Sequence, residues 1–186
     1  MTVKEVIIQT LRLVGREDVA DAVASGGQLD EEMTRLKRAF ITYLNAVLDE
    51  LARGYFPLDY VEDMSAEDGR YAFSAFSKPP LKIRRVTCGQ RRIEWRLCPD
   101  CLVADSPNIT VTYEYAPSAL GEDDEFFYPV FAVGERLVSC GMAAEYYLVM
   151  GDASASQAWE DKYRSEIELL LSHSTVRGRI PPRRWI

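Results

Sequence analysis

The hydrophobic residues of this chain change period twice, and that change constrains its fold more than any single motif does. Val3, Ile7, Leu11 and Val14 recur on one helical face, and Met33, Leu36, Phe40, Tyr43 or Leu44, Val47 and Leu51 keep a three-or-four spacing over about six turns, up to Gly54. Tyr71, Phe73 and Ala75 then alternate, as do Leu81, Ile83 and Arg85, Ile93, Trp95 and Leu97, and finally Ile109, Val111, Tyr113 and Tyr115. Alternation is the period of a strand with one buried face. Helical spacing returns after residue 129 and ends with Trp159, Tyr163, Ile167 and Leu170. The order predicts an α+β protein: a mostly helical body of about four helices, a small antiparallel β insertion between the second and third main helices, and an extended C-terminal tail. The implied divisions are 1–56 (N-terminal helices), 57–120 (β insertion), 121–173 (a C-terminal helical hairpin packing with the N-terminal helices) and 174–186 (a basic tail that binds a partner).

Local signals sharpen these limits. Thr2 and Glu5 have capping-box spacing, residues 16 to 24 add one or two turns before Ser25-Gly26-Gly27 breaks them, and Asp30, Glu31 and Glu32 put acids where the next helix begins. Cys88-Gly89-Gln90 joins two strands at hairpin distance, and Pro79-Pro80 marks a strand boundary, because proline withdraws ladder donors. The β segments predict one small sheet or a partly open barrel. Arginines at 84, 85, 91, 92 and 96 interrupt the alternation, so part of it faces solvent or another chain. Pro129 is placed to open a helix running to Gly151, in which Gly134, Gly141, Ala143 and Ala144 permit close approach. Ser154 and Gln157 offer a second capping box, and the last helix ends near His173.

With 186 residues, 47% of them hydrophobic, the chain can bury a core without disulfides, and one domain with a small insertion is expected. Lys4, Glu5, Gln9 and Arg12 interrupt the first apolar stretch, leaving neither a signal-peptide core nor a membrane span, so the protein is expected to remain in the cytoplasm where it is made. The 22 basic and 29 acidic side chains give a net charge of −7, which argues against a general nucleic-acid binder. Charge is also segregated. The segment TVRGRIPPRRWI, 175–186, holds four arginines and no acid; without them the balance is 18 against 29, or −11. Such a tail is a solubilising end, a nucleic-acid contact or a docking peptide.

No reaction centre emerges, and the sequence predicts no catalytic residue, cofactor or bound metal. Cys98-Pro-Asp-Cys101 has the spacing of a redox pair or half a zinc site, but it does not open a helix, and the remaining Cys88, Cys140 and single His173 supply no second closely spaced pair. Packing in a loop is the simpler role. Ser139-Cys140-Gly141 lies in a helical run and lacks a nucleophile elbow, His173 reads as a helix-end residue, and Gly26-Gly27 lacks the lysine of a phosphate loop. The acids at 122–125 read as a solvated turn, and Tyr113, Tyr115, Tyr146 and Tyr147 as core or protein-interface residues.

LNAVLDELARGYFPLDYVE, the hairpin around 81–97, VTYEY before the acidic loop, ERLVSCGMAAEYYLVMGDASASQAWEDKYRSEIELL and RIPPRRWI together resemble the head-to-tail connector, or adaptor, proteins of tailed bacteriophages over nearly the full length. The resemblance rests on pattern, without a catalytic signature. It implies a structural protein of the virion neck, in a ring of about twelve subunits below the portal. Its partners would be the portal protein, neighbouring copies of itself and a downstream neck or tail protein, with genomic DNA passing through the lumen and no membrane involved. The portal contact is expected at Arg177, Arg179, Ile180, Pro181, Pro182, Arg183, Arg184, Trp185 and Ile186. The alternatives are another ring-forming neck or tail-completion protein, and a thiol- or zinc-dependent binding protein.

Overall fold

The computed structural model describes residues 2–128 and 133–173. The fold is α+β, as the changes of period predict, with five α-helices among the described residues: α1 (Val3–Leu13), α2 (Glu17–Ser25), α3 (Glu31–Gly54), α4 (Glu135–Val149) and α5 (Ala153–His173). Among the described residues seven strands fall between α3 and α4: β1 (Leu58–Ser65), β2 (Arg70–Ala72), β3 (Pro80–Cys88), β4 (Arg91–Arg92), β5 (Trp95–Leu97), β6 (Cys101–Ala104) and β7 (Asn108–Tyr115). The chain divides into two compact units, one of the described residues up to Leu44 together with those from Gly121 onward, the other of Asn45–Leu120. The division falls inside α3, earlier than the end of helical spacing suggests. Asn45 accounts for its position: its amide nitrogen donates to the Leu120 carbonyl at 3.0 Å and its oxygen accepts from the Leu120 amide at 2.7 Å, tying the two ends of the β unit together.

In the helical unit, the Thr2 hydroxyl accepts from the Glu5 amide and the Glu5 carboxylate accepts from the Thr2 amide, so the expected capping box opens α1. Val3, Val6, Ile7 and Leu11 are buried along its inner face. Burying one such side chain stabilises the fold by about 1.5–3 kcal/mol. Asp30 caps α3 by accepting from the Met33 amide at 2.7 Å, and Phe40 is buried between Tyr43 and Tyr146, with ring centroids 5.6 and 5.5 Å away. Helix α4 is buried on most sides, through Leu137, Val138, Met142, Ala143 and Tyr146. Its buried Ser139 Oγ lies 3.0 Å from Thr10 Oγ1, and that hydroxyl also donates to the Val6 carbonyl at 2.8 Å, so the polar groups at the α1–α4 contact are satisfied.

Two helix starts differ from expectation. Helix α4 begins at Glu135, because Gly134 has extended backbone and serves as its N-cap; the expected initiator Pro129 lies outside the described residues. Helix α5 is capped by Asp152, whose carboxylate accepts from the Ala155 amide at 2.9 Å, so Ser154 is already inside the helix. Residues 16–24, expected to add one or two turns, form a helix of their own, Glu17–Ser25, that buries Val19, Ala20 and Val23.

The β unit contains two sheets in place of the single sheet or barrel expected: four strands in the order β1-β7-β3-β4 and three in the order β2-β6-β5, every pair antiparallel. Phe73 and Ala75 leave the ladder in a 3-10 turn, which carries the chain to Phe76, packed edge-on to Tyr113 at 5.0 Å. Gly69, at φ +67°, brings its backbone against the Ala104 carbonyl, where a Cβ would lie 2.4 Å from the oxygen. Strand β3 carries an irregularity between Ile83 and Arg85, so Ile83 and Val86 both turn inward although three residues apart.

The inner face of the larger sheet buries Leu58, Met64, Ile83, Val86, Ile109, Val111, Tyr113 and Tyr115. Glu62 shares that face. Desolvation works against its ionisation, but hydrogen bonds from the Ser77 hydroxyl, the Tyr113 phenol at 2.8 Å and the Ser77 amide at 3.1 Å outweigh it and hold the carboxyl below the usual range. A depressed folded-state pKa contributes stability above the unfolded value near 4.5, and that contribution fades as pH falls through the folded value. Glu62→Gln is therefore expected to cost about 1–2 kcal/mol at neutral pH, with a smaller deficit against wild type in acid. Denaturant titrations at neutral pH and near pH 3 check this; a deficit independent of pH would remove the carboxylate from the account.

Candidate functional site

The tail residues that the sequence marks as partner-binding, Arg177, Arg179, Ile180, Pro181, Pro182, Arg183, Arg184, Trp185 and Ile186, lie outside the described residues. Within them, the feature best suited to recognition is the outer face of the four-stranded sheet. In β1, Leu58, Tyr60, Glu62 and Met64 face inward, which leaves Asp59, Val61, Asp63 and Ser65 exposed. Thr110 and Thr112 of β7 lie beside Asp63 and Val61 in register, and Thr112 is followed by Arg85 of β3. At the far edge the β3–β4 hairpin turns at Gly89, φ +57°, and pairs Arg92 with Thr87. The face thus runs from carboxylates at one edge, across threonines, to guanidiniums at the other.

Sequence distribution reinforces this polarity. From Asp49 to Asp68 there are seven acids and one arginine; from Lys78 to Arg96 there are seven basic residues and one acid. Some of the charge is neutralised within the unit: Arg84 pairs with the buried Glu114, the Thr110 hydroxyl donates to Asp63 at 2.6 Å, and Lys78 sits 4.0 Å from the centre of the Tyr115 ring. Among the described residues Lys82, Arg85, Arg91, Arg92 and Arg96 form no ion pair, and all are exposed. The sequence flags these arginines through the broken alternation. It does not flag the acidic edge, because acids on both faces of β1 conceal its period.

The helical unit holds a groove of about 760 Å³ between α1, α4 and α5, lined in part by Gln9, Leu13, Arg136, Cys140, Trp159 and Glu166. Two of its charges meet, Arg136 Nε lying 3.0 Å from Glu166, and Lys162 Nζ lies 3.9 Å from the centre of the Trp159 ring. Burial, reinforced by Glu166 and opposed by Arg136 and Lys162, raises the pKa of the Cys140 thiol and disfavours the thiolate.

Cys98 and Cys101 lie at opposite ends of a tight reversal, in which the Cys98 amide donates to the Cys101 carbonyl at 2.8 Å. Cys101 is the first residue of β6 and is buried, so it belongs to the sheet and not to the loop the sequence suggests. Burial and the neighbouring Asp100 raise its pKa despite Arg70, whose guanidinium nitrogen lies 3.4 Å from the sulfur. All four cysteines are free thiols. Among the described residues no group of three or more His, Cys, Asp or Glu comes together as a metal site, and no helix is long and apolar enough to cross a membrane.

The acidic loop closes on its own neighbours: Asp124 accepts from the Gly121 amide at 2.6 Å and Glu122 pairs with Lys37 at 2.7 Å. Tyr113, Tyr115 and Tyr146 are buried, and Tyr147 reaches the Val14 carbonyl at 3.4 Å. No family model and no curated protein matches this chain.

The thiol environments have a measurable consequence. Under native conditions at neutral pH, exposed Cys88 is expected to alkylate first, while Cys101 and Cys140 react at least about tenfold more slowly until the chain is denatured. Peptide mass spectrometry after timed maleimide labelling reads this order; fast labelling of Cys101 in the folded protein would reopen thiol chemistry at the Cys98–Cys101 reversal.

Proposed function

We propose that the protein is a structural head-to-tail connector of a tailed bacteriophage, forming a ring below the portal that joins capsid to tail and continues the DNA channel. The observation that carries this proposal is the division of the chain: it leaves a helical unit within α3, builds the separate β unit Asn45–Leu120, and returns to the same helical unit from Gly121. A ring subunit must present two different surfaces to its two neighbours, and a β unit whose sheet has edges of unlike charge supplies chemically distinct ones. The sequence resemblance supplies the virion setting and the portal as partner.

The role assigned to the tail follows from its chemistry. Pro181 and Pro182 favour extended backbone and lower the cost of ordering a peptide on a partner. Arg179, Arg183 and Arg184 offer planar forks for carboxylates or carbonyls in grooves between portal subunits, and Trp185 offers an apolar anchor. The net negative charge suits a channel through which DNA slides without adhering.

A pulldown with purified portal and no DNA tests the proposal, comparing wild type, a chain ending at Val176 and Trp185→Ala. Wild type is expected to bind, the truncated chain not to bind, and the alanine variant to bind at least about tenfold more weakly. Undiminished binding after truncation would return the tail to a DNA contact or a solubilising end.

A further inference from the structure

We infer that two copies of this chain associate head to tail through opposite edges of the four-stranded sheet, the acidic β1 edge of one against the basic β3–β4 edge of the next. Strand β1 is the end of its sheet, paired with β7 on one side and with no strand on the other among the described residues. At the opposite end, β4 pairs with Thr87 and Cys88 and the next amide, of Ile93, donates to the Val86 carbonyl at 3.2 Å, so the part of β3 before Val86 is an open edge as well among the described residues. Natural proteins blunt an open edge with charge, which repels an identical edge. One sign of charge on both edges would keep copies apart completely. Here the signs are opposite, with Asp59 and Asp63 at one edge and Arg85, Arg91 and Arg92 at the other, so each edge repels its own kind and attracts the other.

Geometry favours a repeating contact. Strands β1 and β3 both run antiparallel to β7 and are therefore parallel to each other, so a neighbour placed by simple repetition sets its β1 beside β3 with the same chain direction. The contact is heterologous, since it uses two different patches and leaves one of each free on the outer copies. Such a contact closes into a ring when the rotation between copies divides a full turn. The inference deepens the connector proposal by naming the surface between copies, and it rests on that proposal for ring closure alone.

Charge exchange tests it. One variant carries Asp59→Lys and Asp63→Lys, leaving both edges basic; the other carries Arg85→Glu and Arg92→Glu, leaving both acidic. Sedimentation velocity across a concentration series at about 0.05 M and about 0.5 M salt reads the association. Wild type is expected to self-associate more weakly at the higher salt, and each variant alone at least about tenfold more weakly than wild type. An equimolar mixture is expected to restore association, because basic and acidic edges then alternate along the assembly. Circular dichroism reports folding of each variant, and a neutral Asp59→Asn/Asp63→Asn chain, with weakened association expected, replaces the lysine variant if that fails to fold. A monomeric wild type at every concentration overturns the contact. So does association that survives both reversals, which would leave a ring possible through another surface and the portal pulldown unaffected. Binding of wild type to duplex DNA, lost in the Arg85→Glu/Arg92→Glu variant and without self-association, would assign the basic edge to nucleic acid instead.

Discussion

The helical unit exists only because residues far apart in sequence close upon each other. Thr10 meets Ser139 across 129 positions, the Val3 amide donates to the Asp124 carbonyl at 2.9 Å, and Thr2 bridges to Glu125. Joining ends across an excursion of this length costs chain entropy that grows only slowly with loop length, and the apolar faces of α1 and α4 offset it. The excursion is itself ordered. Asn45 holds both backbone groups of Leu120, so the β unit begins and ends at one place. A folded insertion delivers its two ends to the helical unit at a fixed separation, which lowers the closure cost further.

Within the β unit, electrostatics is organised at two depths. On the inner face, Glu62 is retained beneath a sheet of aromatic and aliphatic side chains because Ser77 and Tyr113 donate to it; burial, reinforced by the same carboxylate, raises the pKa of the Tyr113 phenol. On the outer face, Asp59, Asp63, Arg85 and Arg92 are exposed to water, where each attracts a distant partner weakly and salt screens it. Their value to a fold is small. Charges of unlike sign gathered at opposite edges contribute instead to association, where they steer encounter and set orientation. This is why the sheet face, and not the groove with its internally paired Arg136 and Glu166, is the candidate recognition surface.

Period and capping made the α+β class, α1, α3, α5 and β7 legible in the sequence, since each has a long apolar face or a clear terminal signal. What escaped did so for identifiable reasons. Strand β1 hides because Asp59, Glu62 and Asp63 place acids on both its faces, and only the fold reveals that Glu62 is supplied with donors. The irregularity in β3 puts Ile83 and Val86 on one face at helix-like spacing, obscuring the rest of the strand. In the sequence Cys101 reads as a loop residue because Pro99 and Asp100 dominate the local signal, whereas pairing of β6 with β2 and β5 decides the outcome. The sequence points to Pro129 as the start of α4 because proline is a stronger terminal signal than Gly134, although Gly134 has the extended backbone of the cap. The opposite charge of the two sheet edges required strand order, which no single-sequence period encodes.

The central claim, that this chain is a ring-forming neck component, is tested most directly by cryo-electron microscopy of the neck of the phage particle, with the chain traced into the density. The account predicts a closed ring of about twelve copies beneath the portal, each with its β unit beside that of the next. A single copy, an open helical array, or a ring at that position built from a different protein would contradict it.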